Sequence, residues 1–119
     1  MTQSLEDYVE SIYMLIEDGG AAQVRDIAKS LGVTMPSVVK AIRELQRLGL
    51  VRHKPYAGVH LTVKGRRAAK LVLDRHVLLR TFLMKLGVRG ETADRDACLM
   101  EHILSAETLD KIRIFTERD

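Results

Sequence analysis

Apolar residues recur at helical spacing through most of the chain, and the first stretch is residues 4–18. Steps of three and four residues place its apolar side chains on one face of an amphipathic helix. They are Leu5, Tyr8, Val9, Ile12, Leu15 and Ile16. Ser4 is the predicted N-cap, and Gly19 and Gly20 follow the predicted last turn. The pattern therefore predicts a helix that buries one face.

Residues 24–48 predict two further helices separated by a sharp turn. The first covers 24–31, the turn covers 32–34 and contains a glycine, and the second helix covers 35–48. Thr34 is the predicted N-cap of the second helix, and Pro36 falls in its first turn, where proline is tolerated. A short helix, a tight turn and a second helix with a polar leading face are typical of a helix-turn-helix.

The hydrophobic period changes in residues 50–62 and then returns to helical spacing. Two β-prone runs, 50–53 and 59–62, flank a loop with proline and glycine, which predicts a hairpin like the wing of a winged helix. Helices are predicted over 63–86, 91–104 and 106–116, with caps at Thr62 and Ser105. The predicted fold is mainly α: a winged helix-turn-helix DNA-binding domain in residues 1–70 and a helical metal-binding and dimerisation domain in 71–119. Because a 119-residue chain buries only a modest core, pairing into a homodimer is expected.

Charge is unevenly distributed along the chain. Residues 1–18 hold five acidic residues and no lysine or arginine, whereas residues 24–70 hold eleven basic residues against two acidic ones. A basic middle region predicts a partner that is a polyanion, and with a helix-turn-helix that partner is double-stranded DNA. A solvated charged surface is the alternative. The predicted DNA-binding residues are Arg25, Thr34, Pro36, Ser37, Lys40, Arg43, Lys54, Tyr56 and Lys64.

Metal-ligating residue types occur outside the basic region. Cys98, Glu101 and His102 have the spacing i, i+3 and i+4, which places a thiol, a carboxylate and an imidazole on one helical face. Asp7 and Glu10 share the polar face of the first helix. A buried cysteine beside surface residues, and a solvated acidic face, are the alternatives. His76 taken alone is more typical of a partly buried histidine with hydrogen-bond partners than of a ligand.

Three segments together resemble the diphtheria-toxin-repressor family of metal-dependent repressors, in the same order along the chain. They are SLEDYVESIYMLIEDGGAAQVRDIAKSLGVTMPSVVKAIRELQRLGLV, YAGVHLTVKGRRAAKLVLDRHVLL and ACLMEHILS. The resemblance implies a repressor that senses Mn²⁺ or Fe²⁺, controls metal-homeostasis genes and binds an inverted-repeat operator as a homodimer. The resemblance does not extend to the SH3-like domain of the iron-sensing branch. Relatives of the manganese-sensing branch also continue beyond a helix like 106–116, so a short dimerisation segment is expected.

The resemblance also implies a set of metal ligands: Asp7, Glu10, His76, Cys98, Glu101 and His102. The two carboxylates of the first helix match the manganese-sensing branch and the cysteine matches the iron-sensing branch, while the other three match both. Arg80 stands where the iron branch has a carboxylate ligand, so one ion or two ions per subunit remain open. Co²⁺, Ni²⁺ and Zn²⁺ are expected to bind in vitro as well.

Two other functions compete with a metal-dependent repressor. A metal-independent winged-helix regulator with a small-molecule effector predicts a large apolar pocket. An enzyme is not expected, because the sequence has no glycine-rich phosphate loop and no His-Glu-x-x-His motif. No apolar run approaches the roughly 20 residues of a membrane span, and the acidic N-terminus is unlike a secretory signal. A cytoplasmic protein without a membrane partner is therefore expected.

Overall fold

The computed structural model describes residues 1–54 and 56–118, which form six helices and one two-stranded sheet. Two compact units divide the chain, Met1–Lys70 and a second that begins at Leu71. The elements are α1 Gln3–Glu17, α2 Val24–Leu31, α3 Met35–Arg47, β1 Val51–Lys54, β2 Gly58–Leu61, α4 Val63–Lys85, α5 Gly90–Met100 and α6 Ala106–Glu117. The fold is mainly α, as predicted. None of the helices in the described ranges has the length and apolar composition of a membrane span.

The α1 helix begins one residue earlier than predicted, and its cap is different. The Thr2 side chain accepts a hydrogen bond from the Leu5 backbone N–H at 3.2 Å, so Thr2 and not Ser4 is the N-cap. Both residues can cap, but only Thr2 lies three residues before a helical N–H that lacks a backbone partner. The buried face of α1, including Val9 and Ile12, packs in the core of the first unit as the apolar stripe predicted.

The helix-turn-helix forms where the sequence predicts it. Gly32 ends α2 in the left-handed conformation (φ 66°), which glycine adopts without a Cβ penalty. The Thr34 hydroxyl caps α3 by accepting from the Ser37 backbone N–H at 3.3 Å, and Pro36 lies in the first turn. Val38, Ile42 and Leu45 of α3 are buried, so the opposite face of α3 is turned to solvent.

The wing is an antiparallel hairpin whose strands lie one residue away from the predicted runs. Lys54 pairs with Gly58, so both residues extend the strands instead of lying in the loop. The hairpin is held on two sides. The Val59 N–H donates to the Ala22 carbonyl at 2.9 Å, and the Gln46 side chain of α3 accepts from the His53 N–H at 3.2 Å.

Gly65, in the first turn of α4, packs directly against the backbone of Leu50. A Cβ built on Gly65 would lie 1.9 Å from the Leu50 carbonyl oxygen. In an open helix, alanine is favoured over glycine by up to about 1 kcal/mol. At this position the steric overlap of an alanine Cβ outweighs that preference, because the Leu50 carbonyl oxygen belongs to the backbone and cannot move aside as a side chain can.

We therefore expect Gly65→Ala to lower the free energy of unfolding by about 1–3 kcal/mol or more, measured by chemical denaturation. Gly90→Ala is the matched control, because it also adds a Cβ in the first turn of a helix. Its Cβ would meet only the flexible ends of two side chains, Arg80 at 3.3 Å and Met84 at 3.9 Å. Equal stability of the Gly65→Ala variant and the wild type would contradict the close approach.

The second unit is built from the later part of α4 with α5 and α6. Its buried apolar residues are Val72, Leu78, Leu79, Leu83, Ala93 and Ala97. Phe82 of α4 and Phe115 of α6 stack edge to face with ring centroids 5.9 Å apart. Ser105 caps α6 by accepting from the Thr108 N–H at 3.2 Å, as predicted. The α5 helix is shorter than predicted, because it ends at Met100 and a turn follows.

Candidate metal centre and nucleic-acid interface

The exposed face of α3 carries four of the nine predicted DNA-binding residues. Pro36, Ser37, Lys40 and Arg43 are all exposed there. The Thr34 hydroxyl lies 2.8 Å from the Ser37 hydroxyl and also caps the helix. Part of the hydrogen-bonding capacity of Thr34 is therefore used within the protein, and Ser37 is the hydroxyl better placed to reach a base or phosphate.

The cations on α3 differ in their electrostatic surroundings. The Arg47 guanidinium forms a bidentate pair with Glu44, including a hydrogen bond from Nε to Oε2 at 3.0 Å. This pairing holds the pKa of the Glu44 carboxyl below its usual range and raises the pKa of Arg47. Within residues 1–54 and 56–118, neither Lys40 nor Arg43 forms an ion pair. Their charges are therefore available to phosphates, whereas that of Arg47 is compensated.

The remaining predicted DNA-binding residues are distributed around α3 in the first unit. The Arg25 side chain is 80 % exposed at the start of α2. Lys54 is exposed at the end of β1, and Tyr56 is fully exposed with a positive φ of 68°. Lys64 has a structural role, because its ammonium donates to the Leu48 carbonyl at the end of α3 at 2.9 Å.

The predicted metal ligands lie in both units. Asp7 and Glu10 are in the first unit, one turn apart on α1, and both are partly buried. His76 lies on α4, and Cys98 lies on α5. Glu101 and His102 follow the last residue of α5, so the prediction of a continuous helical face through them is wrong. Glu101 nevertheless keeps helical dihedrals (φ −60°, ψ −21°), because its N–H bonds to the carbonyl of Ala97.

Four of these side chains lie close together in the second unit, and Glu101 is at their centre. Its Oε2 is 3.1 Å from Nδ1 of His76, and its Oε1 is 3.3 Å from Nε2 of His102. The Cys98 Sγ is 3.6 Å from Nδ1 of His76. The side chains of Glu101 and His102 are each 1 % exposed. A carboxylate buried this deeply requires positive charge or hydrogen-bond donors around it.

The separations between these donor atoms fit ligands of a single cation. Two donors bound at about 2.1 Å lie roughly 3.0 Å apart at a right angle and roughly 3.4 Å apart at a tetrahedral angle. The His76–Glu101 and His102–Glu101 separations fall in this range. Imidazole, carboxylate and thiolate are all ligands of divalent transition metals. The residues present therefore fit a metal centre.

Asp94 also contacts this group, and the sequence did not reveal it. Its Oδ1 lies 3.2 Å from Nε2 of His76 and 2.8 Å from Nε of Arg80. Asp94 is on α5, whereas His76 and Arg80 are on α4. A contact between two helices has no signature in the spacing along either one, although Asp94 precedes Cys98 by one helical turn.

Models of one protein family match nearly the whole chain in two parts. Residues 1–59 match the N-terminal DNA-binding domain of the iron-dependent repressors, and residues 62–118 match their metal binding and dimerisation domain. The chain belongs to the iron-dependent repressor family. The predicted resemblance to the diphtheria-toxin repressors is thereby confirmed.

Relatives of this repressor are similar over most of their length. An uncharacterized HTH-type transcriptional regulator of Methanocaldococcus jannaschii is 41 % identical over 99 % of this chain and 96 % of its own length. The transcriptional regulator MntR of Escherichia coli O6:H1 is 44 % identical over 96 % of this chain and 74 % of its own length. Both are regulators of transcription, in agreement with the helix-turn-helix.

Solved structures of this repressor family share the fold. A manganese-dependent transcriptional repressor in complex with manganese is 32 % identical, with a TM-score of 0.82 over 94 % of this chain. This chain spans 52 % of the length of that repressor. The family consists of metal-dependent transcriptional repressors and not of enzymes, so the predictions of function class and of a non-enzymatic role are confirmed.

Proposed function

We propose that this repressor senses Mn²⁺ or Fe²⁺ in the cytoplasm and controls genes of metal homeostasis. The observation that carries the proposal is the buried Glu101 carboxylate, which lies between the imidazoles of His76 and His102 in the metal-binding domain. The similar repressor solved in complex with manganese supports a divalent ion of this kind. A bound cation would neutralise the charge of the buried carboxylate.

The proposed ligands are the four side chains of the second unit together with two carboxylates of the first. They are His76, Cys98, Glu101, His102, Asp7 and Glu10. The donor separations around Glu101 support the first four. The match of Asp7 and Glu10 to ligand positions of the manganese-sensing branch supports the other two. With ligands drawn from both units, metal occupancy would be coupled to the arrangement of the DNA-binding unit.

The donor set favours Mn²⁺ or Fe²⁺ but accepts softer ions. Oxygen and imidazole donors suit Mn²⁺ and Fe²⁺, whereas the Cys98 thiolate increases the preference for ions such as Zn²⁺. Affinity for a given site generally rises from Mn²⁺ through Fe²⁺, Co²⁺ and Ni²⁺. We therefore expect Co²⁺, Ni²⁺ and Zn²⁺ to bind in vitro, and cellular metal supply to decide which ion is used.

The DNA target is proposed to be an inverted repeat read by a homodimer. Recognition helices of two subunits read successive major grooves when they lie about 34 Å apart. Metal binding would favour the arrangement of the two α3 helices that meets this spacing. Coupling free energies of about 1–3 kcal/mol, or 5–150-fold in affinity, are typical of such linkage. By reciprocity, the operator would tighten metal binding by the same factor.

A gel-shift titration tests the proposed switch. The probe is a duplex selected from a random-sequence pool by the Mn²⁺-loaded protein, and salt is held constant because phosphate contacts make affinity salt-dependent. We expect EDTA to weaken binding about 5–150-fold and added Mn²⁺ or Fe²⁺ to restore it under anaerobic, reducing conditions. Equal DNA affinity in EDTA and in Mn²⁺ would contradict the proposal.

One observation favours the competing small-molecule regulator. A mostly apolar cavity of about 630 Å³, open to solvent, lies between α4 and α6 and is lined by Phe82, Leu86, Ile112 and Phe115. An effector in this cavity would be apolar and would act without metal. The two functions differ in one measurement, because only the metal-dependent repressor changes its DNA affinity when Mn²⁺ is the sole addition.

A further inference from the structure

His76 presents its two ring nitrogens to two different carboxylates of the second unit. Nδ1 faces the buried Glu101 at 3.1 Å, and Nε2 faces Asp94 at 3.2 Å. The exposed fractions of the two carboxylate side chains are 1 % for Glu101 and 53 % for Asp94. The imidazole therefore has an inner side at the proposed metal centre and an outer side toward solvent.

A fixed cation already lies on the outer side of His76. The Nε of Arg80 is 2.8 Å from the same Asp94 oxygen that faces the imidazole. Arginine keeps its charge at all relevant pH values. The guanidinium also lies near the start of α5, where a Cβ on Gly90 would come within 3.3 Å of Nη2. The N-terminus of a helix carries partial positive charge and disfavours a nearby cation. The negative charge of Asp94 offsets this repulsion on the Arg80 guanidinium.

Asp94 faces the ring nitrogen of His76 that points away from the proposed metal ligands. A carboxylate only accepts hydrogen bonds, so the hydrogen between Nε2 and Asp94 belongs to Nε2. A cation bound on the inner side, beside Glu101 and Cys98, would take the lone pair of Nδ1, which leaves the single ring hydrogen on Nε2. Carboxylates that hold the second nitrogen of a ligating histidine fix its ring orientation in the same way.

We propose that the Arg80–Asp94 ion pair takes the place of a second metal ion beside His76, so that each subunit binds one divalent cation, on the Nδ1 side. The inference rests on the proposed metal centre. His76 Nε2 and Asp94 have the separation of two ligands of one ion. The Arg80 charge, 2.8 Å from the shared oxygen, repels a divalent ion from that position.

Stability alone does not account for this pair. Arg80 and Asp94 are 41 % and 53 % exposed, and exposed ion pairs contribute little to folding. If the pair were only a surface salt bridge, a change in the charge of either side chain would leave the number of bound metal ions per subunit unchanged. This difference separates the proposed role from an ordinary surface salt bridge.

The test is the number of Mn²⁺ equivalents bound per subunit, measured by calorimetric titration and elemental analysis of the full chain. Arg80→Glu removes the guanidinium and adds a carboxylate one turn from His76, next to Asp94. Arg95→Glu is the charge-matched control, because Arg95 is exposed on α5 and forms no ion pair within the described ranges. We expect one equivalent for the wild type and for Arg95→Glu, and two for Arg80→Glu.

Two equivalents in the wild type, or one in Arg80→Glu, would overturn the inference while leaving the metal-dependent repressor intact. No Mn²⁺ uptake by the wild type would overturn the proposed function itself. A second readout needs no variant. Long-range ¹H–¹⁵N spectra of the Zn²⁺-loaded wild type should show the His76 proton on Nε2, and a proton on Nδ1 would contradict the assignment.

Discussion

Glu101→Gln is expected to lower Mn²⁺ affinity by about 100-fold or more and to abolish the response of DNA binding to metal. Removing a residue that only contacts a metal ligand lowers metal affinity about 10–100-fold. The loss of Glu101 should cost more, because Glu101 lies at the centre of the proposed ligand set. Glutamine keeps the size and one acceptor oxygen of glutamate but removes the charge that binds a cation. Calorimetric titration with Mn²⁺ and the gel shift measure the two effects.

The choice of substitution keeps loss of metal separate from loss of fold. Glu101 is 1 % exposed, so a small residue would leave a cavity, whereas glutamine fills the same volume. Glu91→Gln is the matched control, because Glu91 is exposed in the first turn of α5 and carries the same charge. We expect it to bind Mn²⁺ as the wild type does. Unchanged affinity in Glu101→Gln would remove this carboxylate from the metal centre.

The helix-turn-helix was the most predictable part of the fold, because local signals define its boundaries. Gly32 ends α2 and Thr34 caps the start of α3, and the structure shows both residues in the predicted positions. The prediction of Ser4 as the N-cap of α1 was wrong, because Thr2 is a residue of the same capping ability and residue type alone does not separate the two. The wing strands lie one residue away from the predicted runs, and the contacts of the hairpin with Ala22 and Gln46 come from outside the hairpin, where its own sequence pattern gives no signal.

The residues of the candidate metal centre could be grouped from the sequence, but their geometry could not. The spacing of Cys98, Glu101 and His102 grouped three side chains that the structure also brings to one region, although the helix ends before the last two. The hydrogen bond from Glu101 N–H to Ala97 explains why helical spacing still applied at Glu101. The outer contact of Asp94 with His76 joins two helices and depends on their packing, which a periodicity argument does not provide.

Lys40→Ala and Arg43→Ala are each expected to weaken DNA binding about 5–150-fold, which corresponds to about 1–3 kcal/mol. Both cations lie on the exposed face of α3, opposite its buried residues. Each phosphate contact that is lost should reduce the slope of log affinity against log salt by about 0.9. A loss that differs among operator sequences would instead indicate a base contact. Fluorescence anisotropy at several salt concentrations measures both quantities.

Arg47→Ala is the matched control for these variants, because it removes the same charge from the same helix. Its guanidinium is already paired with Glu44, so its removal should change DNA affinity less than the removal of Arg43. Mn²⁺ affinity should remain unchanged in all three variants, because none of these residues is a proposed ligand. If Arg47→Ala weakened binding more than Lys40→Ala and Arg43→Ala, the unpaired cations of α3 would not be the principal phosphate contacts. The DNA-binding surface would then have to be centred on the end of α3 and the wing.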